Sequence, residues 1–193
     1  MNTSYLDETR SALRGVVALI LGDRRAPNYF DLGQRGLVGS FIALLGVLLL
    51  EIVVGIAIGQ IGSGQIFTTV IQTLLFYGAI TLAPRVLLTM LGRLDAFMPY
   101  LVALNWANVF FTLIIVVLGL IGAPTLALIV IIAAFIASIN IARIIMTLKP
   151  MQIVMLFAVQ LVGFLVALIV LMMLFPLSPE QMAELTAASS PQP

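Results

Sequence analysis

A chain of 193 residues, 62% hydrophobic and 9% charged, with a mean hydropathy of +1.22, cannot coat itself with polar groups. A soluble domain carries about a quarter charged residues, so the solvent around most of this chain is lipid. A net charge of +1 gives nucleic acid no general attraction, and the lack of cysteine and histidine removes thiolate and imidazole chemistry, and with it most enzymes.

Residues 4–22, SYLDETRSALRGVVALILG, come first. Ser4 and Asp7 stand at capping-box spacing, with Asp in place of the usual Glu. Leu6, Leu13, Val16, Val17, Ile20 and Leu21 recur at helical spacing while Arg10, Ser11 and Arg14 point elsewhere, and Gly22 ends the helix. The apolar run is too short to span a membrane. Arg24 and Arg25 follow it where a signal peptide would have a small-x-small cleavage site. The expected element is an amphipathic helix lying on the cytoplasmic leaflet, its arginines toward lipid phosphates.

The connector GDRRAPNYFDLGQRGL (22–37) holds Asp23, Arg24, Arg25, Asp31 and Arg35, more than a quarter of all the charges. Each arginine contributes about 1 kcal/mol with anionic lipid. Tyr29 and Phe30 are placed as headgroup-level anchors, and Asp31 as the cap of the following helix. A charged stop against the membrane explains most of this stretch; a docking surface for a cytoplasmic protein is the sharper reading.

Five runs of about twenty apolar residues follow, each long enough to cross the hydrocarbon core: 37–58, 66–91, 99–121, 124–148 and 151–175. The breaks GQIGSGQ, GRLDAFMP, GLIGAP and KP are short, which implies antiparallel neighbours in an all-helical bundle. All Lys and Arg residues fall on one side of this arrangement: Arg10, Arg14, Arg24, Arg25 and Arg35, then Arg85 and Arg93, then Arg143 and Lys149. Positive loops stay inside, so the N-terminus is cytoplasmic and the C-terminus external. The tail from residue 176 is expected to be flexible, apart from a short helix over 179–187 capped by Ser178.

Polar residues inside the spans are costly and are candidates for function. Depth at 1.5 Å per residue sorts them into two storeys. Glu51 and Gln72 form an outer one, at one level and able to hydrogen-bond, with Thr68 and Thr69 nearby. Arg85, Asn105, Asn108, Asn140, Arg143 and Gln160 form an inner one. Glue between helices is the favoured reading; a polar pathway is the rival. Gly55 and Gly59, in GIAIG, have the spacing of a close helix approach, either within the monomer or between two copies in a homo-oligomer.

The FDL entry (Phe30, Asp31, Leu32) with Gly33 and Gly36 just beyond, the cytoplasmic N-terminal segment, five closely spaced spans and a short external tail resemble the Yip1 family, most of all its bacterial members. The architectural likeness covers nearly the whole chain and the motif about residues 22–45. The resemblance implies a membrane-organising or partner-binding role without an established chemistry. The longer acidic and aromatic N-terminal region of eukaryotic members, which are associated with membrane traffic and small GTPases, is missing. The expected protein is therefore a non-enzymatic scaffold, organiser or accessory subunit of the bacterial cytoplasmic membrane, without cofactor or metal, contacting lipid and a protein partner. Its working surfaces would be Arg10, Arg14, Arg24, Arg25, Tyr29, Phe30, Asp31 and Arg35. The rival is a solute, lipid or proton-coupled transporter whose pathway passes Glu51.

Overall fold

The computed structural model describes residues 5–176; Ser4 and the expected tail helix over 179–187 lie outside them. The described residues form six α-helices and no strand: α1 (Tyr5–Ile20), α2 (Gln34–Ala57), α3 (Ile66–Met90), α4 (Phe97–Leu120), α5 (Ala127–Asn140) and α6 (Pro150–Leu174). Five helical stretches are long and apolar enough to cross a membrane: α2, α3, α4 with the short turn before it, α5 with the turn after it, and α6. In hydrocarbon a backbone must satisfy its own polar groups, which is why uninterrupted apolar runs resolve into helices.

Four helices stop in the same way. Gly22, Gly59, Gly92 and Gly122 take φ of 71°, 73°, 65° and 71°. The next N–H reaches back to a carbonyl five residues earlier (Asp23 to Ala18, Gln60 to Gly55, Arg93 to Leu88, Ala123 to Leu118) at 2.8–2.9 Å. This left-handed cap satisfies orphan carbonyls and lets the chain turn at once into a single 3₁₀ turn before the next helix. α5 leaves differently. It widens into a π turn, Ile141–Ile145, and then places Thr147 at φ 51°, in the region the other stops reserve for glycine.

Consecutive spans α3 and α4, and α4 and α5, do touch, but the most extensive contacts join helices that are not consecutive. α2 lies along α4 and α3 along α6, with α4 the most buried span and α1 laid across the ends of α4 and α5. Side-chain size explains both seams. Along the first seam α2 buries Ser40, Leu44 and Val47 and α4 buries Ala103, Leu104 and Ala107, with Ser40 bonded directly to Asn105 of α4. At the other seam a Cβ on Gly163 would stand 3.2 Å from the Ala83 methyl and 3.4 Å from the Ala79 carbonyl, so small residues set the approach of α3 to α6. Gly55 and Gly59 do not make such a seam. Gly59 is the cap of α2 with open space around it, and Gly55 makes room for the returning side chain of Ile61.

Candidate functional site

Two regions gather the polar side chains: the docked N-terminal helix, and the hydrogen bonds that cross the bundle.

α1 turns Ala12, Gly15, Val16 and Leu19 onto the protein and leaves Leu6, Leu13, Val17 and Leu21 exposed, with Arg10 and Arg14 beside them. The expected single apolar face is thus split in two, and Val16 belongs to the protein side. Phe30 is buried against Gly15 instead of anchoring at headgroups; a Cβ at 15 would lie 2.5 Å from its ring. The hydroxyl of Ser11 donates to the Tyr29 carbonyl at 2.6 Å, and Asn140 Nδ2 donates to the Leu19 carbonyl at 2.7 Å. Arg143 Nη2 approaches the Gly22 carbonyl at 3.5 Å. Residues of α5 and its π turn therefore close the C-terminal end of α1, where carbonyls are orphaned and positive charge is favoured.

Asp31 does not cap α2. Its Oδ1 accepts the Gly33 N–H at 3.1 Å, folding a turn ahead of the helix, and the capping position is Gly33 itself, without a side-chain bond. Glu8, which sequence reasoning passed over, is pressed against α2. Its Oε1 is shut from solvent without a hydrogen-bond partner, where a Cβ on Gly39 would stand 2.6 Å away. Burial raises the Glu8 carboxyl above its ordinary 4.5, the charge of Asp31 adds to this, and Arg35 opposes it. The folded protein accordingly holds a proton that the unfolded chain has lost in the window just above pH 4.5. Stability from this group is greatest below that window and declines as pH rises through the folded value. Glu8→Gln is expected to remove that pH dependence and to hold α1 at least as firmly at neutral pH, read by hydrogen exchange of residues 5–20 at pH 5 and 7.5.

Inside the bundle Asn105 is fully buried. Its Nδ2 donates to Ser40 Oγ at 3.1 Å and its Oδ1 accepts the Tyr77 hydroxyl at 2.7 Å, so one amide joins α2, α3 and α4. A second chain begins at Pro84 within α3. Proline has no N–H for the carbonyl four residues earlier, that of Ile80. The buried Tyr100 hydroxyl of α4 donates to that carbonyl at 2.8 Å, and Gln160 Nε2 of α6 donates to Tyr100 at 3.1 Å. Tyr77 and Tyr100 were not picked out from sequence. The available signals were the need of a buried phenol for a partner and the carbonyl a mid-helix proline leaves behind.

The remaining predicted residues are dispersed. Asn108 and Gln160 line a cavity of about 430 Å³ with Ser138, Phe157 and Phe164. Gln72, with Thr68 and Thr69, lines one of about 580 Å³ between the start of α3 and the end of α6, together with Gln60 and Gln65. Glu51 opens onto another hollow of about 200 Å³ bounded by Val54, Ile115 and Gly119, which shares Gln60 with that of Gln72. The expected pairing of Glu51 with Gln72 is therefore absent: equal depth did not make their helices neighbours. Arg85 is exposed with its guanidinium 5.8 Å over the Phe97 ring. Tyr29 is half-buried; Arg10, Arg14, Arg24, Arg25, Asp31 and Arg35 are exposed. Among the described residues no three carboxylates converge on a point where a metal ion could sit.

Compared with family models, curated proteins and solved structures, the chain matches none.

Proposed function

We propose that this is a non-enzymatic multi-pass protein of the bacterial cytoplasmic membrane, a Yip1-like organiser, scaffold or accessory subunit with a cytoplasmic N-terminus and an external C-terminus. The observation that carries the reading is the seating of α1: one face is fixed to the bundle through Gly15, Leu19 and Asn140, and the other presents exposed Leu13, Val17 and Leu21 beside Arg10 and Arg14. A helix held rigidly at the end of a bundle with its apolar and basic residues outward is a surface for an interfacial lipid layer and for a partner. The span residues also favour a structural role. Asn105, Asn140 and Gln160 each bond to another helix. That is the pattern of interhelical glue rather than of a continuous polar path.

Purification in a mild, lipid-preserving detergent, with mass spectrometry of what stays bound, tests the reading. A stoichiometric protein partner is expected with the unaltered chain and with Glu51→Gln, and is expected to be lost with Arg10→Ser/Arg14→Ser. A lone particle holding a solute that Glu51→Gln releases would replace the scaffold with a transporter.

A further inference from the structure

We infer that the recess between the end of α1 and the end of α5 binds the phosphate group of an anionic membrane lipid. The recess encloses about 310 Å³ and is lined by Arg24, Arg143, Ile144 and Thr147. A third guanidinium stands behind it: Arg93 Nη2 donates to Thr147 Oγ1 at 3.0 Å and to the Met146 carbonyl at 3.3 Å. Two carboxylates lie close in sequence to these arginines. Asp95 is paired with Arg93 at 3.5 Å, and Asp23 engages the Arg25 N–H at 2.9 Å. Neither Arg24 nor Arg143 has a carboxylate partner among the described residues.

Converging guanidiniums repel, so a fold that gathers them with too few acids leaves a favourable place for an anion. The backbone is unusual at the same point. Arg143 rides on the π turn and Thr147 sits at φ 51°, a conformation a β-branched residue rarely adopts. π turns and left-handed non-glycine residues concentrate at binding sites. Thr147 Oγ1 accepts from Arg93, so its hydroxyl proton remains to be donated into the recess. Planar guanidinium forks and a hydroxyl donor match phosphate oxygens, and nothing here suits a cation.

The lipid, rather than free phosphate, is indicated by the surroundings. The recess closes the end of a helix long and apolar enough to span, which puts it at headgroup level. Beside it α1 exposes Val17 and Leu21, and Ile144 forms part of its wall, giving acyl chains an apolar surface. The inference goes beyond the scaffold reading and stands without it.

The full chain in neutral detergent, titrated with phosphatidylglycerol or phosphatidylcholine, is read by native mass spectrometry. The unaltered protein is expected to keep one phosphatidylglycerol under conditions that strip phosphatidylcholine. Arg24→Gln/Arg143→Gln should weaken that retention about tenfold or more, the loss of one or two charge-assisted bonds. Lys149→Gln, an exposed charge at the same end, should leave it unchanged; an equal loss there would mean diffuse surface charge and would overturn the site. Inorganic phosphate that raises the melting temperature without lipid, with the same arginine dependence and no retained phosphatidylglycerol, would overturn the lipid assignment. Should the double variant not fold, Arg24→Gln alone carries the test, because that side chain makes no hydrogen bond within the described residues. Retention unaltered in Arg24→Gln would refute the proposal.

Discussion

Gly36→Ala should unseat the connector and loosen α1. The added methyl would coincide with the Asp31 carbonyl oxygen and come within 2.7 Å of the Asp31 carbonyl carbon and 2.9 Å of its Cβ. Two of these atoms are main chain, so no change of rotamer relieves the clash. The Asp31–Gly33 turn must shift, and it carries Phe30 away from its seat on Gly15. Overpacking of this kind costs about 1–3 kcal/mol where side chains can yield, and backbone yields less. The expected result is fast proteolysis near residues 22–33 and a lowered melting temperature in detergent. Gly46→Ala is the control: a Cβ there meets nothing within 4 Å, so it should be neutral or gain up to about 1 kcal/mol from helix propensity. A Gly36→Ala protein as resistant as the Gly46→Ala one would remove the connector from its assigned place.

The second large effect belongs to Tyr100. Tyr100→Phe leaves the Ile80 carbonyl without a donor and Gln160 Nε2 without its acceptor. Unpaired buried groups cost about 1–3 kcal/mol, and measured values within membranes lie toward the lower end. Pro84→Ala supplies an N–H to the same carbonyl, so the Tyr100→Phe loss should shrink in that background. A double-mutant cycle on unfolding in detergent measures the coupling. Simple additivity would show that the phenol and the proline act independently.

The spans were legible because lipid demands long apolar runs and because glycine and proline punctuate them; the third helix, expected over 66–91, occupies Ile66–Met90. Partner choice was not legible. Hydropathy reports how much of a helix is apolar but not which face meets which neighbour, and short loops do not reveal the more extensive contacts of α2 with α4 and α3 with α6. Small residues carried the missing information at Ala79, Ala83 and Gly163, whereas Gly55 and Gly59 imitated such a seam while Gly59 was serving as a cap. The site divides in the same way. Asn105, Asn140 and Gln160 stood out as amides in apolar helices, but their partners are a serine, two tyrosines and a backbone carbonyl, 28 to 121 residues away. Depth supplied one coordinate of three, which is why Glu51 and Gln72 shared a level without meeting. Glu8 depended on the missing Cβ of Gly39, a relation invisible before the helices are docked.

The seam between α3 and α6 also separates the order of synthesis from the order of contact. Gly163 follows Ala83 by about eighty residues, and a ribosome adding about 5–20 residues per second needs about 4–16 s to cover that distance. Throughout that interval α3 is already made while its main partner is not, and the small-residue groove over Ala79 and Ala83 faces lipid or the insertion machinery. This seam closes only when α6 arrives, so a helix made much later completes the place of one already inserted.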